Sequence, residues 1–218
     1  MREQHQYVRT DAWNEARTKA LLREHGLKTP TGIVLRPQDA ISQVDLPWPL
    51  AVKLCSDTTL HKTDVGGVIL GVRDPAELAT SVAELRHRFP GCDLLVEHME
   101  ESGVEVIVGV VRDPAFGAVI MVGLGGTLAE VYQDVTCRIV PISRADALSM
   151  LDDLHGRALI DGFRGMEVDR EALLNLLLSV SRLAESLGPT LLQMDLNPVF
   201  ARPADTIVVD AKALWRSA

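Results

Sequence analysis

The sequence predicts an α+β fold rather than a doubly wound parallel one. Short alternating strands recur along the chain, helices separate only some of them, and no regular strand–helix–strand beat is kept. Two strand-like stretches, CDLLVEHM and GVEVIVGVVRD, are joined by only Glu100 to Ser102, a connection that predicts an antiparallel hairpin. With 218 residues, 47% of them hydrophobic, the chain buries a sizeable core as one large domain or as two small lobes.

Taken in order, AWNEARTKALLREHG reads as a helix with Ala16, Ala20 and Leu21 on one side and Gly26 as its stop. TPTGIVLR is a short strand. PLAVKLC is a second, with Leu50, Val52 and Leu54 on one face and Ala51 and Lys53 on the other. GGVILGV follows as a strand. DPAELATSVAELRHRF is a helix with a clear start: Asp74 caps, Pro75 suits the first position, and Leu78, Val82, Leu85 and Phe89 form the buried stripe. After the two closely joined strands come AVIMVGL, then GGTLAEV as glycines running into a helix, and the short strand TCRIVPI. SRADALSMLDDL carries Ser143 and Asp146 at capping-box spacing. DREALLNLLLSVSRLAESLG is the longest helix, closed by Gly188-Pro189. LLQMDLNPVF and TIVVDA are the last two strands.

The formal charge of −8, without a Lys/Arg cluster, argues against a protein built to grip nucleic acid. Cys55, Cys92 and Cys137 are scattered and odd in number, which gives neither a disulfide framework nor zinc spacing and points to a reducing cytoplasm. The first residues lack the apolar stretch of a signal peptide, and no run reaches the ~18–20 apolar residues of a membrane span.

Four features could carry chemistry. Lys53 lies mid-strand opposite three aliphatic residues, where an unpaired ammonium is costly and an anion or solvent must be in reach. In QMDLNP, Asp195 and Asn197 share a strand face and present two oxygens, and Asp210 in VVDA adds another; hard divalent cations such as Mg²⁺ favour such donors, although taken alone the stretch is more simply a polar strand end entering a proline turn. MVGLGGTLAEV brings Gly123, Gly125 and Gly126 after an apolar strand, where bare backbone N–H groups reach a phosphate. It matches neither a P-loop nor a dinucleotide fingerprint, and a tight structural turn explains it equally well. Finally, CSDTTLHKTDVGGVIL places His61 beside Lys62 in a polar loop between two apolar strands. An imidazole there titrates near neutrality and can act as a nucleophile; by itself it is equally an ordinary loop histidine.

Taken together, ALLREHGLKTPTGIVL, PLAVKL, LHKTDVGGVIL, VEHM, GVEVIVGVVRDPAFGAVIMVGLGGTLAEV, DVTCRIVPI and MDLNPV…VVDAKAL resemble the ATP-grasp subunit of the ADP-forming acyl-CoA synthetases, relatives of the succinyl-CoA synthetase β chain. The resemblance runs from about Thr18 to Leu214. It implies one ATP-grasp domain over 1–218, with nucleotide held between two α+β lobes, approximately 25–97 and 98–218. By resemblance, Lys53 is the phosphate-binding lysine, and Glu97 lies where the segment between lobes meets adenine and ribose. Glu105, Gly125 and Gly126 sit near the nucleotide, and Arg138 reaches phosphate. Asn197 and Asp210 match the Mg²⁺ ligands, with Asp195 beside them.

The family runs a phosphohistidine relay, involving an acyl phosphate, capture of the acyl group by CoA, and phosphorylation of ADP. By resemblance, His61 is the relay histidine of this chain, and Asp64 with the Gly66-Gly67 pair would orient its imidazole and hinge its loop. Gln193 departs from a more usual glutamate, and CSDTT from a more usual Ser-Pro entry to the loop. CoA-binding and ligase domains are missing, so a separate CoA-binding α chain is implied, in a heterotetramer acting on a small carboxylic acid in the cytoplasm. Two alternatives share the fold. A nucleotide-sensing module without turnover sits badly with an intact set of Lys53, His61, Asn197 and Asp210. A carboxylate–amine ligase passes its acyl phosphate directly to an amine and needs no histidine loop.

Overall fold

A computed structural model describes residues 10–57, 62–126 and 134–217. Its strands form two sheets. The larger has the order β1-β11-β9-β6-β7-β8, with β10 paired to β9, and the smaller has the order β2-β5-β3-β4. All strand pairs are antiparallel. No described helix is long and apolar enough to cross a membrane.

The smaller sheet is built from β2 (Gly32–Leu35), β3 (Leu50–Cys55), β4 (Val68–Val72) and β5 (Asp93–His98). Helix α2 (Pro75–Arg88) covers one face, with Leu78, Val82 and Leu85 packed on Leu50, Val52, Leu94 and Val96. Asp74 caps it by accepting from the N–H groups of Ala76 and Glu77. The alternation of β3 thus decides two things: its aliphatic face meets α2, and Ala51 and Lys53 are turned to the opposite face.

The larger sheet contains β1 (Thr10–Trp13), β6 (Val104–Asp113), β7 (Gly117–Leu124), β8 (Val135–Ile139), β9 (Leu191–Ala201), β10 (Thr206–Val208) and β11 (Ala211–Arg216). Helices α3 (Arg144–Asp152) and α4 (Arg170–Leu187) supply Ala147, Met150, Leu173, Leu177 and Val180 to a core that includes Val106, Val108, Ile120, Val122, Met194 and Leu196. The capping box of Ser143 and Asp146 is formed. Helix α1 (Glu15–Glu24), capped by Asn14, packs on the large-sheet core through Leu22.

Three expectations need correction. CDLLVEHM and GVEVIVGVVRD are not a hairpin: β5 belongs to the smaller sheet and β6 to the larger. The short link crosses between sheets. The His98 and Met99 N–H groups still bond to Thr31 and Pro49 of the smaller sheet, and Glu100 is then tied to Arg202 at 3.0 Å. Gly103 lies so close to the Ala201 carbonyl that a Cβ would stand 2.4 Å from it, which explains the glycine where β6 enters. Secondly, the first helix is shorter than read: Ala12 and Trp13 belong to β1, an edge strand paired with β11, and neither β1 nor β11, which lies between β1 and β9, is among the strands read from the sequence. Thirdly, the buried face of α1 is Glu15, Thr18, Lys19 and Leu22, not Ala16, Ala20 and Leu21. The spacing is that of a core-facing stripe, but two of its members are charged. The helix expected in GGTLAEV falls largely outside the described residues.

Candidate active site

The charged face of α1 meets the non-helical face of the smaller sheet. On that face Glu97 pairs across strands with both Gly32 and Ala51, while Lys53 pairs with Leu95. A Cβ on Gly32 would stand 2.6 Å from Glu97 Cγ, so glycine leaves room for this carboxylate to lie against β2. Lys53, expected to need an anion, is 5% exposed and has found three oxygens: Glu15 Oε1 at 2.6 Å, Glu97 Oε2 at 2.9 Å and the Val209 carbonyl at 3.0 Å.

Lys19 donates to Glu15 at 2.6 Å and to both Glu97 oxygens at 2.7 Å. Lys62, just beyond the loop, donates to Glu15 and lies 2.8 Å from each oxygen of Asp210. Glu15 therefore sits under three ammonium groups. The cluster has three cations, Lys19, Lys53 and Lys62, and three carboxylates, Glu15, Glu97 and Asp210. Buried charges are tolerable in such a balanced, hydrogen-bonded set and costly outside one.

The ionisation of the cluster follows from its geometry. Burial favours the neutral form of Glu15, but the charges of Lys53, Lys19 and Lys62 together outweigh it and hold the carboxyl far below the usual range. Burial also works against the Lys53 ammonium, yet Glu15, Glu97 and Asp210 overcome it and raise its pKa. Lys19 goes the other way: burial is the larger influence and Lys53 repels it, so its pKa is lowered despite its carboxylate partners. Glu15 is thus shared by three lysines, and it raises Lys53 while burial lowers Lys19.

Above Lys53 opens a cavity of about 680 Å³ between the two sheets. Its walls are Trp48, Ala51 and Leu70 from the smaller-sheet side, Phe200 and Val209 from the larger, and Met99 to Ser102 of the link. Leu70 is 60% exposed and Trp48 38%, leaving an apolar slot beside a charged floor. Such a cavity suits a flat aromatic group carrying an anionic tail.

Asp210 stands where β10 turns into β11, and its carbonyl accepts the Asn197 N–H at 3.1 Å. Asn197 and Asp210 are therefore adjacent at the edge of the charged floor. Asp195 lies two residues back on β9, opposite Lys212 and Gly109. Among the described residues no three His, Cys, Asp or Glu side chains converge as a closed metal site. Asn197, Asp210 and Asp195 carry oxygen donors, the kind that suit a hard cation completed by phosphate and water. Lys62 already seats a cationic group against both oxygens of Asp210, so the corner accepts positive charge.

Glu105 pairs across strands with Phe200, so it faces the cavity side of the larger sheet. Its carbonyl accepts the Gly125 N–H at 2.7 Å, and its carboxylate lies over Gly126, which has φ +83°. A Cβ on Gly125 would stand 2.9 Å from Glu105 Cβ. These three expected residues do come together.

Others are placed differently. Glu97 lines the cavity, but its carboxylate is taken by Lys19 and Lys53 rather than left for a ribose. Arg138 is not brought to the cluster: it pairs with Ile120 on the helix-covered face, and its guanidinium is held by Asp153 at 2.6 Å and Ser149 at 2.7 Å. His61 lies outside the described residues. The ends of its segment are both tied to the first turn of α1, through Asp57, which accepts the Asn14 N–H at 3.0 Å, and through Lys62 to Glu15. Asp64 is exposed on the turn that follows. Gly66 and Gly67 do not form an open hinge. Gly67 is packed against Leu54 and the Lys62 carbonyl, and Gly66 has φ +67° beneath Arg88, whose guanidinium donates to its carbonyl at 2.6 Å.

The residues missed in the sequence are Glu15, Lys19 and, in its charged role, Lys62. The signal for the first two is their helical spacing with Leu22, which places Glu15, Lys19 and Leu22 on one face of α1.

The model of the ATP-grasp domain matches residues 6–213. The chain belongs to the ATP-grasp family. This ATP-grasp domain is 36% identical over 214 residues to the protein named acetate–CoA ligase [ADP-forming] II subunit beta of Pyrococcus furiosus, covering 93% of this chain and 91% of that one. It is 33% identical to the I subunit beta of the same organism, with coverage of 92% and 90%. Among solved structures, it superposes on the dinucleotide-forming acetyl-coenzyme A synthetase 1 of Ca. Korarchaeum cryptofilum with TM-score 0.88, 33% identity and 94% coverage of both chains. That structure holds coenzyme A and Ca-AMPCP. A second structure of the same synthetase, at TM-score 0.81 and 34% identity over 93% and 92% of the chains, holds Mg-AMPPCP and is described with its phosphohistidine segment pointing towards the nucleotide site.

Proposed function

We propose that the chain is the β subunit of an ADP-forming acyl-CoA synthetase, exchanging a phosphoryl group between Mg-nucleotide and a CoA-binding α subunit through His61. The observation that carries the proposal is the buried Lys53 ammonium on the floor of the cavity between sheets, bound to the Val209 carbonyl one residue before Asp210, in a chain that covers nearly all of an acetate–CoA ligase β subunit.

The base enters the slot between Trp48, Leu70 and Phe200, against the backbone of Met99 to Ser102. The phosphates run down towards Lys53 and the turn at Gly125 and Gly126, which carries no side chains to block them and whose Gly125 N–H is donated to the Glu105 carbonyl. Mg²⁺, when bound, neutralises phosphate charge, with Asn197 and Asp210 as its protein donors and Asp195 nearby. Phosphoryl transfer asks mainly for positioning and charge stabilisation, which fixed ammonium and N–H groups supply. Glu15, Glu97 and Asp210 hold Lys53 protonated, and a phosphate takes one of its N–H groups by exchange with a present acceptor such as the Val209 carbonyl.

In the thioester-forming direction a neutral His61 imidazole attacks the γ-phosphorus of ATP and ADP leaves. The phosphoryl group passes from His61 to a histidine of the CoA-binding chain and from there to the carboxylate substrate, giving an acyl phosphate and restoring both histidines. The CoA thiolate displaces inorganic phosphate from the acyl carbon. The sum is ATP, acid and CoA giving ADP, phosphate and acyl-CoA. CoA and the acid are held by the partner chain in a heterotetramer, and the work takes place in the cytoplasm.

The test is co-purification with the α chain and a screen of carboxylic acids for CoA-dependent ADP release. His61→Ala is expected to abolish thioester formation while ADP affinity stays near normal. Wild-type turnover by that variant would overturn the relay.

A further inference from the structure

We propose that Lys62 is a positioning residue that competes with the divalent cation for Asp210, so that cation binding and the Lys62–Asp210 ion pair exclude one another. The inference rests on the reading of Asp210 as a metal donor given above, and it adds a residue that reading does not use.

The geometry is specific. The Lys62 ammonium lies 2.8 Å from both oxygens of Asp210, the position from which a cation would be chelated. Lys62 is 5% exposed, so it is not a surface lysine resting there by chance. Its other carboxylate partner is Glu15. When a cation takes Asp210, the ammonium therefore keeps a buried counter-charge and need not be driven into apolar surroundings. Lys53 cannot take this part, because it is pinned between Glu15, Glu97 and the Val209 carbonyl.

Charge counting gives the direction. Three ammonium groups already balance three carboxylates. A divalent cation alone adds positive charge beside Lys62 and Lys53 and is opposed. A cation that arrives with a nucleoside diphosphate brings its own anion, and the phosphates offer the displaced ammonium a further partner. Lys62 thus acts as a threshold that disfavours bare cation and favours cation with nucleotide.

The test is binding of Mn²⁺ alone, read by electron paramagnetic resonance, to the wild type and to Lys62→Met and Lys62→Arg variants whose circular dichroism matches the wild type. Lys62→Met is expected to bind Mn²⁺ at least about tenfold more tightly, the size of one charge-assisted hydrogen bond. Lys62→Arg restores the wild-type affinity. Added ADP tightens Mn²⁺ binding in the wild type more than in Lys62→Met. Equal or weaker Mn²⁺ binding by Lys62→Met overturns the proposal.

A second reading needs no neutral variant. In the ¹⁵N-lysine wild-type protein, with Lys62 assigned from Lys62→Arg, Mg²⁺ alone is expected to shift the Lys62 ammonium resonance more than those of Lys19 and Lys53. A Lys62 resonance unmoved at saturating Mg²⁺ overturns the proposal too. Competition without thioester formation would retain this inference and remove the function proposed above; thioester formation without competition would do the reverse.

Discussion

The Glu15 carboxylate, on a helix packed against the larger sheet, accepts a 2.6 Å hydrogen bond from Lys53 in the middle of the smaller sheet. This contact joins the two halves of the molecule at the floor of the cavity. Because Glu15 also holds Lys19 and Lys62, its loss strands three buried cations on two carboxylates. Removing one member of a buried ionic set costs about 3–5 kcal/mol. Glu15→Ala is therefore expected to lower stability by about that amount in urea unfolding. A loss under about 1 kcal/mol would show that the cluster is relaxed by water rather than held by Glu15.

The same cluster sets a pH window. The Glu15 carboxyl titrates lower in the folded chain than its ordinary 4.5, so the stability it contributes is present above that value and is lost as pH falls through the folded pKa. Lys53 titrates above its ordinary 10.5, so its contribution is present below 10.5 and is lost as pH rises past the folded pKa. Lys19 has the opposite sense: its lowered pKa is a penalty at lower pH that lifts as pH rises towards 10.5. Urea midpoints against pH should thus fall on the acid side only below about 4.5. On the alkaline side, Lys19→Met should remove a rise just before the final fall. A Glu15→Gln variant with an unchanged acid limb would remove Glu15 from this account.

Much of the scaffold was legible because local rules and tertiary demands agree. The alternation of β3 put Lys53 opposite three aliphatics, and the structure covers those aliphatics with buried neighbours, Leu50 and Val52 beneath α2. Asp74 and the Ser143–Asp146 box cap the helices they were assigned to. The failures have one physical source each. A link as short as Glu100–Ser102 serves a hairpin or a step between sheets, and only long-range pairing decides which. Strand β1 is held by β11 from the opposite end of the chain, which no local window contains. Glu15 and Lys19 look like a solvent pair on α1 because charge normally marks the exposed face. Their burial depends on Lys53 and Glu97, which arrive from another sheet. Arg138 carries a charge suited to phosphate, but its strand register turns it towards α3.

Lys53→Met tests the catalytic use of the floor. Deleting one preorganised donor at a developing charge typically costs about 10²–10³ in rate. With the α chain present, phosphohistidine formation from ATP is expected to slow by roughly that factor, with a smaller loss of nucleotide affinity. Equal losses in affinity and rate would assign Lys53 to ground-state binding alone, and no loss in either would remove it from the phosphate path.

Thiol chemistry separates buried from accessible surface. Burial pushes the Cys55 thiol up to about 11, against an opposing hydrogen bond from the Ala16 backbone. Cys137 is exposed on β8. At pH 7–8 an aromatic disulfide reagent should modify Cys137 readily and Cys55 only after denaturation. Rapid modification of Cys55 in the folded protein would mean that the β3–α1 junction opens far more often than its packing suggests.

Trp48 offers a direct view of the base. The chain has three tryptophans, and two of them, Trp13 and Trp215, stack on each other at 4.6 Å with Arg17 over Trp13, on the β1–β11 pair. Only Trp48 lines the cavity, beside Leu70 and across from Phe200. A base seated in that slot excludes water from the Trp48 indole and stacks near it, so ADP should change the intrinsic fluorescence mainly through this residue. Trp48→Phe keeps an apolar ring at the rim and is expected to remove most of the change while ADP still binds, as read by calorimetry. If the fluorescence response survives in Trp48→Phe, the base is perturbing Trp13 or Trp215 instead. The nucleotide would then lie at the α1 end of the charged cluster rather than in the cavity between the sheets.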